Sequence, residues 1–94
     1  MKESNTQEKI ELLFDNFKAF LKEKNKRYGD AAISPINIFS QTKPVDQIRS
    51  RIDDKLSRIK NSKELKKNDL SDLFGYIALL LIQNNWINFE EFLD

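Results

Sequence analysis

Ile10, Leu13, Phe14, Phe17, Phe20 and Leu21 recur at steps of three and four, the spacing that lines side chains along one face of an α-helix. The pattern predicts a first helix over residues 6–27, with Asn5 as its cap and Glu8 three residues on. Tyr28-Gly29-Asp30 reads as its stop, because glycine tolerates the left-handed backbone on which many helices end. Behind Pro44, whose missing amide hydrogen costs nothing in a first turn, Val45, Ile48, Ile52, Leu56 and Ile59 draw a second apolar edge. That helix is expected over 44–61, fading at Asn61-Ser62. The connection, residues 28–43, holds Pro35 and no helical period. Ile33, Ile36, Ile38 and Phe39 make it too apolar for a plain linker, so a lid or strap over the core is expected.

A third helix is expected over 69–85, capped by Asn68, with Leu70, Leu73, Phe74, Ile77, Leu80 and Leu81 as its main face. Leu79 and Ile82 fall on other sides, and a helix apolar nearly all round is buried nearly all round. One chain of 94 residues can hardly sheathe such a helix, so a homo-oligomer, dimeric or larger, is expected through it. Asn88, with Glu91 three residues on, opens a short last helix at 88–93 carrying Phe89, Phe92 and Leu93, and Trp86 is expected to anchor the turn before it. With two glycines and two prolines in the chain, strands are disfavoured. The expected fold is a single all-α domain over 1–94, a small bundle of three main helices plus a short C-terminal helix.

Composition narrows the chemistry. The chain has no cysteine, which removes disulfides and thiolate metal sites and suits a reducing, cytoplasmic setting. It has no histidine, so catalysis has to use carboxylates, lysine, tyrosine, or a hard metal ion held by oxygen. Its longest apolar run, YIALLLI, is seven residues, far below what a bilayer span needs, so no membrane partner is expected.

The net charge of +1 hides a strong division. Residues 43–67 carry nine basic and four acidic side chains, whereas residues 68–94 carry none and five. Neighbouring blocks of opposite sign attract one another, or together bind a metal and a polyanion. Nucleic acid is a weak candidate partner, because a phosphate footprint normally needs a larger positive excess.

On a helical wheel centred on the apolar seam of the second helix, Lys55 lies about 60° from the centre, with Arg51 and Arg58 just beyond it. Asp53 edges the seam from the other side, and Asp54 points away. A lysine in this position commonly lays its stem on apolar surface and sends its amine to water. On the third helix Asp69, Asp72, Tyr76 and Leu79 form one stripe that runs from polar residues into a region expected to be buried. The helix dipole accounts for Asp69 in a first turn. Asp72 inside a sheathed helix needs an arginine, a lysine or a cation as partner. Two carboxylates three residues apart, facing charges on a second helix, can hold Mg²⁺ shared with a substrate's phosphates, although this spacing occurs by chance on many helices.

RYGD at 27–30, RIDDKLSRI at 51–59 and NDLSDLFGYIALLLI at 68–82 resemble, in that order, the motifs of small MazG-like all-α nucleotide pyrophosphohydrolases. The likeness is strongest to the compact branch common in phages and linked to nucleotide modification. Tyr28, Gly29 and Asp30 match its first element, Asp54, Lys55 and Arg58 its second, and Asp72, Gly75 and Tyr76 its third. The resemblance implies an oligomeric helical bundle in which Mg²⁺, held by carboxylates of two adjacent helices, splits nucleoside triphosphates into monophosphate and pyrophosphate. Carried onto this chain, Asp54, Asp69 and Asp72 become the metal ligands, with Asp54 and Asp72 catalytic. Lys55, Arg58 and Arg51 become phosphate contacts, and Tyr28 and Tyr76 contacts to sugar or base. Better-known members carry Glu-x-x-Glu on the second helix, and this chain has none there, which weakens its hold on an ion. A non-catalytic protein that binds or sequesters a nucleotide, and a small oligomeric protein-interaction adaptor, are the alternatives.

Overall fold

The computed structural model describes residues 2–27, 29 and 42–93; Tyr28, Asp30 and nearly all of the expected lid lie outside them. The fold class is all-α: three helices, α1 (Lys2–Arg27), α2 (Pro44–Asn61) and α3 (Lys67–Gln83), with no strand among the described residues. The chain divides into two compact units, Met1–Ala31 and Ala32–Asp94.

In the first unit α1 starts at Lys2, upstream of the expected Thr6, so Asn5 lies inside the helix and does not cap it. Residues 2–8 contain no glycine or proline and include the strong helix formers Lys2, Glu3, Gln7 and Glu8, which carry the helix through a potential cap. The last turn is supported by Arg27 donating from Nε to Glu23 at 2.9 Å and by the Lys24 amine lying 5.3 Å from the centre of the Phe20 ring. Gly29 then takes φ 59°, and its N–H donates to the Lys26 carbonyl, so the stop falls where the glycine predicts it. Ile10, Leu13, Phe14 and Phe20 remain exposed.

In the second unit α2 and α3 form an antiparallel hairpin. Lys43 is extended, Pro44 opens α2, and Ser62 ends it, with the Ser62 hydroxyl and the Glu64 backbone hydrogen-bonded to each other across the turn. α3 begins at Lys67, ahead of the expected Asp69; Asn68 is its second residue, and its carbonyl accepts the Ser71 hydroxyl at 3.1 Å. The predicted asparagine cap is therefore absent, and Asp69 in the first turn supplies the negative charge that the helix N-terminus favours.

At the far end Asn85 takes φ 59°, its N–H donates to the Ile82 carbonyl at 2.9 Å, and the Trp86 N–H donates to the Leu81 carbonyl at 2.8 Å. This is a Schellman termination with asparagine in the left-handed position. It ties down the Trp86 backbone while its side chain stays 61 % exposed, so the expected side-chain anchor is not made. The last element is one 3₁₀ turn, Glu90–Phe92, in place of the helix expected over 88–93, and the Asn88 side chain accepts the Glu90 N–H at 3.0 Å.

Among the described residues one large apolar side chain, Ile48, is fully buried, at 1 % exposure. Leu70 and Ile77, expected on the main buried face of α3, are exposed, and so is Leu56 from the expected seam of α2. The covered side of α2 carries Ile48, Ile52, Lys55 and Ile59, a stripe with alternating steps of four and three that stays against a straight antiparallel neighbour. Leu56, one residue beyond Lys55 and thus about 100° further round, leaves that stripe. Among the described residues no helix is long and apolar enough to cross a membrane.

Candidate functional site

Two contacts set the register of the hairpin. The Lys55 amine on α2 lies 3.1 Å from Asp72 Oδ2 on α3, with the two side chains 16 % and 27 % exposed. One turn back on α2, Arg51 Nη1 donates to the Tyr76 hydroxyl at 3.5 Å, and the guanidinium lies 5.9 Å from the centre of the Tyr76 ring. Four residues along α2 thus match four residues back along α3, as antiparallel helices require. Charge and aromatic alternate along the seam: ion pair, then cation over ring.

The stripe Asp69, Asp72, Tyr76, Leu79, Gln83 is covered or half-covered, as are Leu73, Phe74, Gly75, Leu80 and Leu81 beside it. Asp69 is 6 % exposed, and at the other end the Gln83 Oε1 atom is buried with no hydrogen-bond partner. Leu70, Ile77 and Ile82, which a solvated amphipathic helix hides, face out. The hairpin therefore mixes carboxylates, an amide and a tyrosine with Ile48, Ile52, Ile59 and Leu79 at its seam, while Leu70, Ile77 and Ile82 stay on the surface. Lys55 departs from the lysine habit of sending the amine to water: its ammonium is held by a carboxylate of the neighbouring helix.

Lys55, Asp72, Arg51 and Tyr76, all singled out in the sequence, are brought together, and Asp69 lies one turn before Asp72 on the same stripe. Arg58, one turn beyond Lys55, is exposed and free to meet a ligand's charge. Asp54 is exposed on a different side of α2 from Lys55. Asp53, expected to edge the core, is also exposed, because the covered stripe runs toward Lys55 and leaves the other flank of α2 in solvent. Asp46 and Arg49 are 3.9 Å apart and both well exposed, an ordinary surface pair. Tyr28 lies outside the described residues.

The Mg²⁺ ion that the resemblance implies is not matched by this donor set. Among the described residues no group of three or more acidic side chains is gathered to hold a metal, so Asp54, Asp69 and Asp72 do not form the expected ligand cluster. The Lys55 ammonium already stands against Asp72, where a cation would have to sit. What the seam offers is different. Lys55 has three ammonium protons, of which Asp72 engages one, and the exposed guanidinium of Arg51 presents a planar fork suited to phosphate oxygens.

Two features escaped the sequence reading. The pairing of Arg51 with Tyr76 depends on the register between two helices, which neither helix reveals alone; the matching four-residue steps 51/55 and 72/76 were the available signal. Gln83 was missed although it continues the 69, 72, 76, 79 stripe by one further step. No protein-family model matches the chain, and neither a curated protein nor a solved structure does.

Proposed function

We propose that the chain is a nucleotide-binding protein whose α2–α3 seam receives the phosphates of a nucleoside triphosphate. The observation that carries this reading is the inward-turned pair Lys55–Asp72 with Arg51 and Tyr76 one turn away. Arg51 and Arg58 meet the phosphates from the open flank, Lys55 contributes from the edge of the seam, and the Tyr76 ring offers a face to the sugar or base. Asp72 holds the Lys55 ammonium in place, which lowers the ordering cost of binding. A cytoplasmic setting suits a nucleotide ligand and a chain without cysteine.

Hydrolysis to monophosphate and pyrophosphate, in the MazG-like manner, is a second reading, favoured by the order of the RYGD, DKLSR and DLFGY motifs. Binding ranks above it because the gathered carboxylates that reaction calls for are not found among the described residues. We further propose that the protein works as an assembly of copies, because Ile10, Leu13, Phe14, Leu70, Ile77 and Ile82 are exposed on the single chain.

A thermal-shift panel of nucleoside triphosphates, with and without Mg²⁺, combined with a pyrophosphate-release assay, separates the readings. A nucleotide at a hundred times its dissociation constant is expected to stabilise the fold by about 2.7 kcal/mol. Arg51→Gln is expected to abolish that shift, read against the variant's own unliganded melting temperature, which falls slightly with the loss of the exposed contact to Tyr76. Pyrophosphate release that requires Mg²⁺ and is lost in an Asp72→Asn variant whose circular dichroism remains that of the folded chain establishes hydrolysis. Absence of any shift or turnover across the panel refutes both nucleotide readings.

A further inference from the structure

The segment that follows α3 is unusual in being both ordered by its own backbone and apolar on its surface. Its turn is closed by the Schellman bonds at Asn85 and Trp86, by the Asn88 side chain on the Glu90 N–H, and by Phe92 and Leu93 N–H groups donating to the Phe89 and Glu90 carbonyls at 3.0 and 3.1 Å. From this frame Trp86, Ile87, Phe89, Phe92 and Leu93 project into solvent, with Phe92 78 % and Leu93 83 % exposed. The exposed carboxylates of Glu90 and Glu91 sit among them, and no basic residue occurs after Lys67. A shallow groove of about 500 Å³ runs between Trp86, Ile87, Asn88 and the two glutamates. Exposed aromatics on a backbone that is already ordered have the make-up of a docking segment, because little conformational entropy remains to be lost on binding.

The complement of this patch is found on the same chain, at the opposite end of the hairpin. Around the α2–α3 turn Arg58, Lys60, Lys63, Lys66 and Lys67 are all exposed, with Glu64 the one acidic residue among them, and Leu65 and Leu56 supply exposed apolar surface. The two patches are separated by the length of α3, 17 residues or about 25 Å, so the tip of one hairpin is out of reach of its own post-α3 segment. Two hairpins laid side by side in opposite directions bring each acidic aromatic end onto the other's basic apolar tip. This arrangement is isologous and closes at two copies, leaving neither patch unused.

We propose that the segment Trp86–Leu93 is a docking element for a second copy of this chain, seated on the basic surface formed by Arg58, Lys60, Lys63, Leu65, Lys66 and Lys67. The proposal deepens the assembly reading by naming its surface, and it overlaps the nucleotide seam at Arg58 alone, a residue that none of the test variants changes.

Sedimentation velocity of the full chain tests it. The wild-type protein is expected to be dimeric, with a dissociation constant that rises as salt is raised from about 20 mM to about 500 mM. The double variant Glu90→Lys, Glu91→Lys and, separately, Lys63→Glu, Lys66→Glu are each expected to weaken self-association at least about tenfold, because like charges then face one another. Mixing the two variants is expected to restore a dimer, each end again meeting its opposite. Phe92→Ser is expected to weaken association at every salt concentration. Helical circular dichroism establishes that each variant is folded, so loss of association is read only from folded chains. A wild-type chain that remains monomeric overturns the proposal together with the assembly reading. A dimer that survives both charge reversals and Phe92→Ser overturns the proposal alone and assigns assembly to another face, as does failure of the mixed variants to pair.

Discussion

The contact between Lys55 and Asp72 admits a quantitative test. At 3.1 Å the gross attraction between the two charges, taken at an effective dielectric constant near 20, is about 5 kcal/mol. Most of this is offset by desolvation, since both side chains have lost the greater part of their contact with water. An exposed pair retains about 0–1 kcal/mol, and removing one partner of a fully buried pair costs about 3–5 kcal/mol. With both groups between these limits, the expected coupling is about 1–2 kcal/mol after discounting for residual solvent screening. The measurement is a double-mutant cycle over Lys55→Met, Asp72→Asn and the double variant, each unfolded in urea and followed by circular dichroism. Asp72→Asn alone is expected to be the more damaging single change than substitution of an exposed aspartate such as Asp53, because it strands an ammonium in the seam. The double variant is expected to recover part of that loss. For a domain of this size a loss of 1 kcal/mol corresponds to about 4–8 °C in melting temperature, so the effect is well above error. A coupling below about 0.3 kcal/mol refutes the reasoning, because it makes the pair an ordinary surface contact and removes the basis for a preorganised seam.

Ile48→Ala is expected to cost about 3 kcal/mol in the same urea experiment, because Ile48 is the one large side chain fully enclosed among the described residues; a cost below 1 kcal/mol contradicts that placement. Asn85→Val is expected to destabilise by about 1–2 kcal/mol and Asn85→Gly to lie within about 0.5 kcal/mol of wild type, since the position has φ 59° and a branched side chain resists the left-handed region. Tyr76→Phe, which removes only a hydroxyl 3.5 Å from Arg51, is expected to cost less than about 0.5 kcal/mol, whereas Tyr76→Ala also loses the ring under the guanidinium and costs more; equal effects place the value in the hydroxyl.

What could be read without coordinates was mostly local. Pro44 sets the start of α2 through its own fixed geometry, and Asn61-Ser62 its end, so both were legible from neighbouring residues. Gly29 marked the stop of α1 for the same reason. Caps were less legible: Asn5 and Asn68 are good caps in isolation, yet each stands inside a helix that neighbouring residues extend. The candidate site was half legible. The stripe of Asp69, Asp72 and Tyr76 follows from periodicity alone, and so does the need of a covered Asp72 for a partner.

Which partner it takes is a matter of register. Helical periodicity says where a side chain points on its own helix and nothing about the sliding or rotation of a second helix against it, so only tertiary structure pairs Lys55 with Asp72 and Arg51 with Tyr76. Rotation also decides burial. α2 could present Leu56 or Lys55 to its neighbour, and the structure covers the lysine because its charge is met there, leaving the leucine outside. Local chemistry thus determined the helices and their ends, while the packing of one helix on another decided which residues became core, seam and open surface.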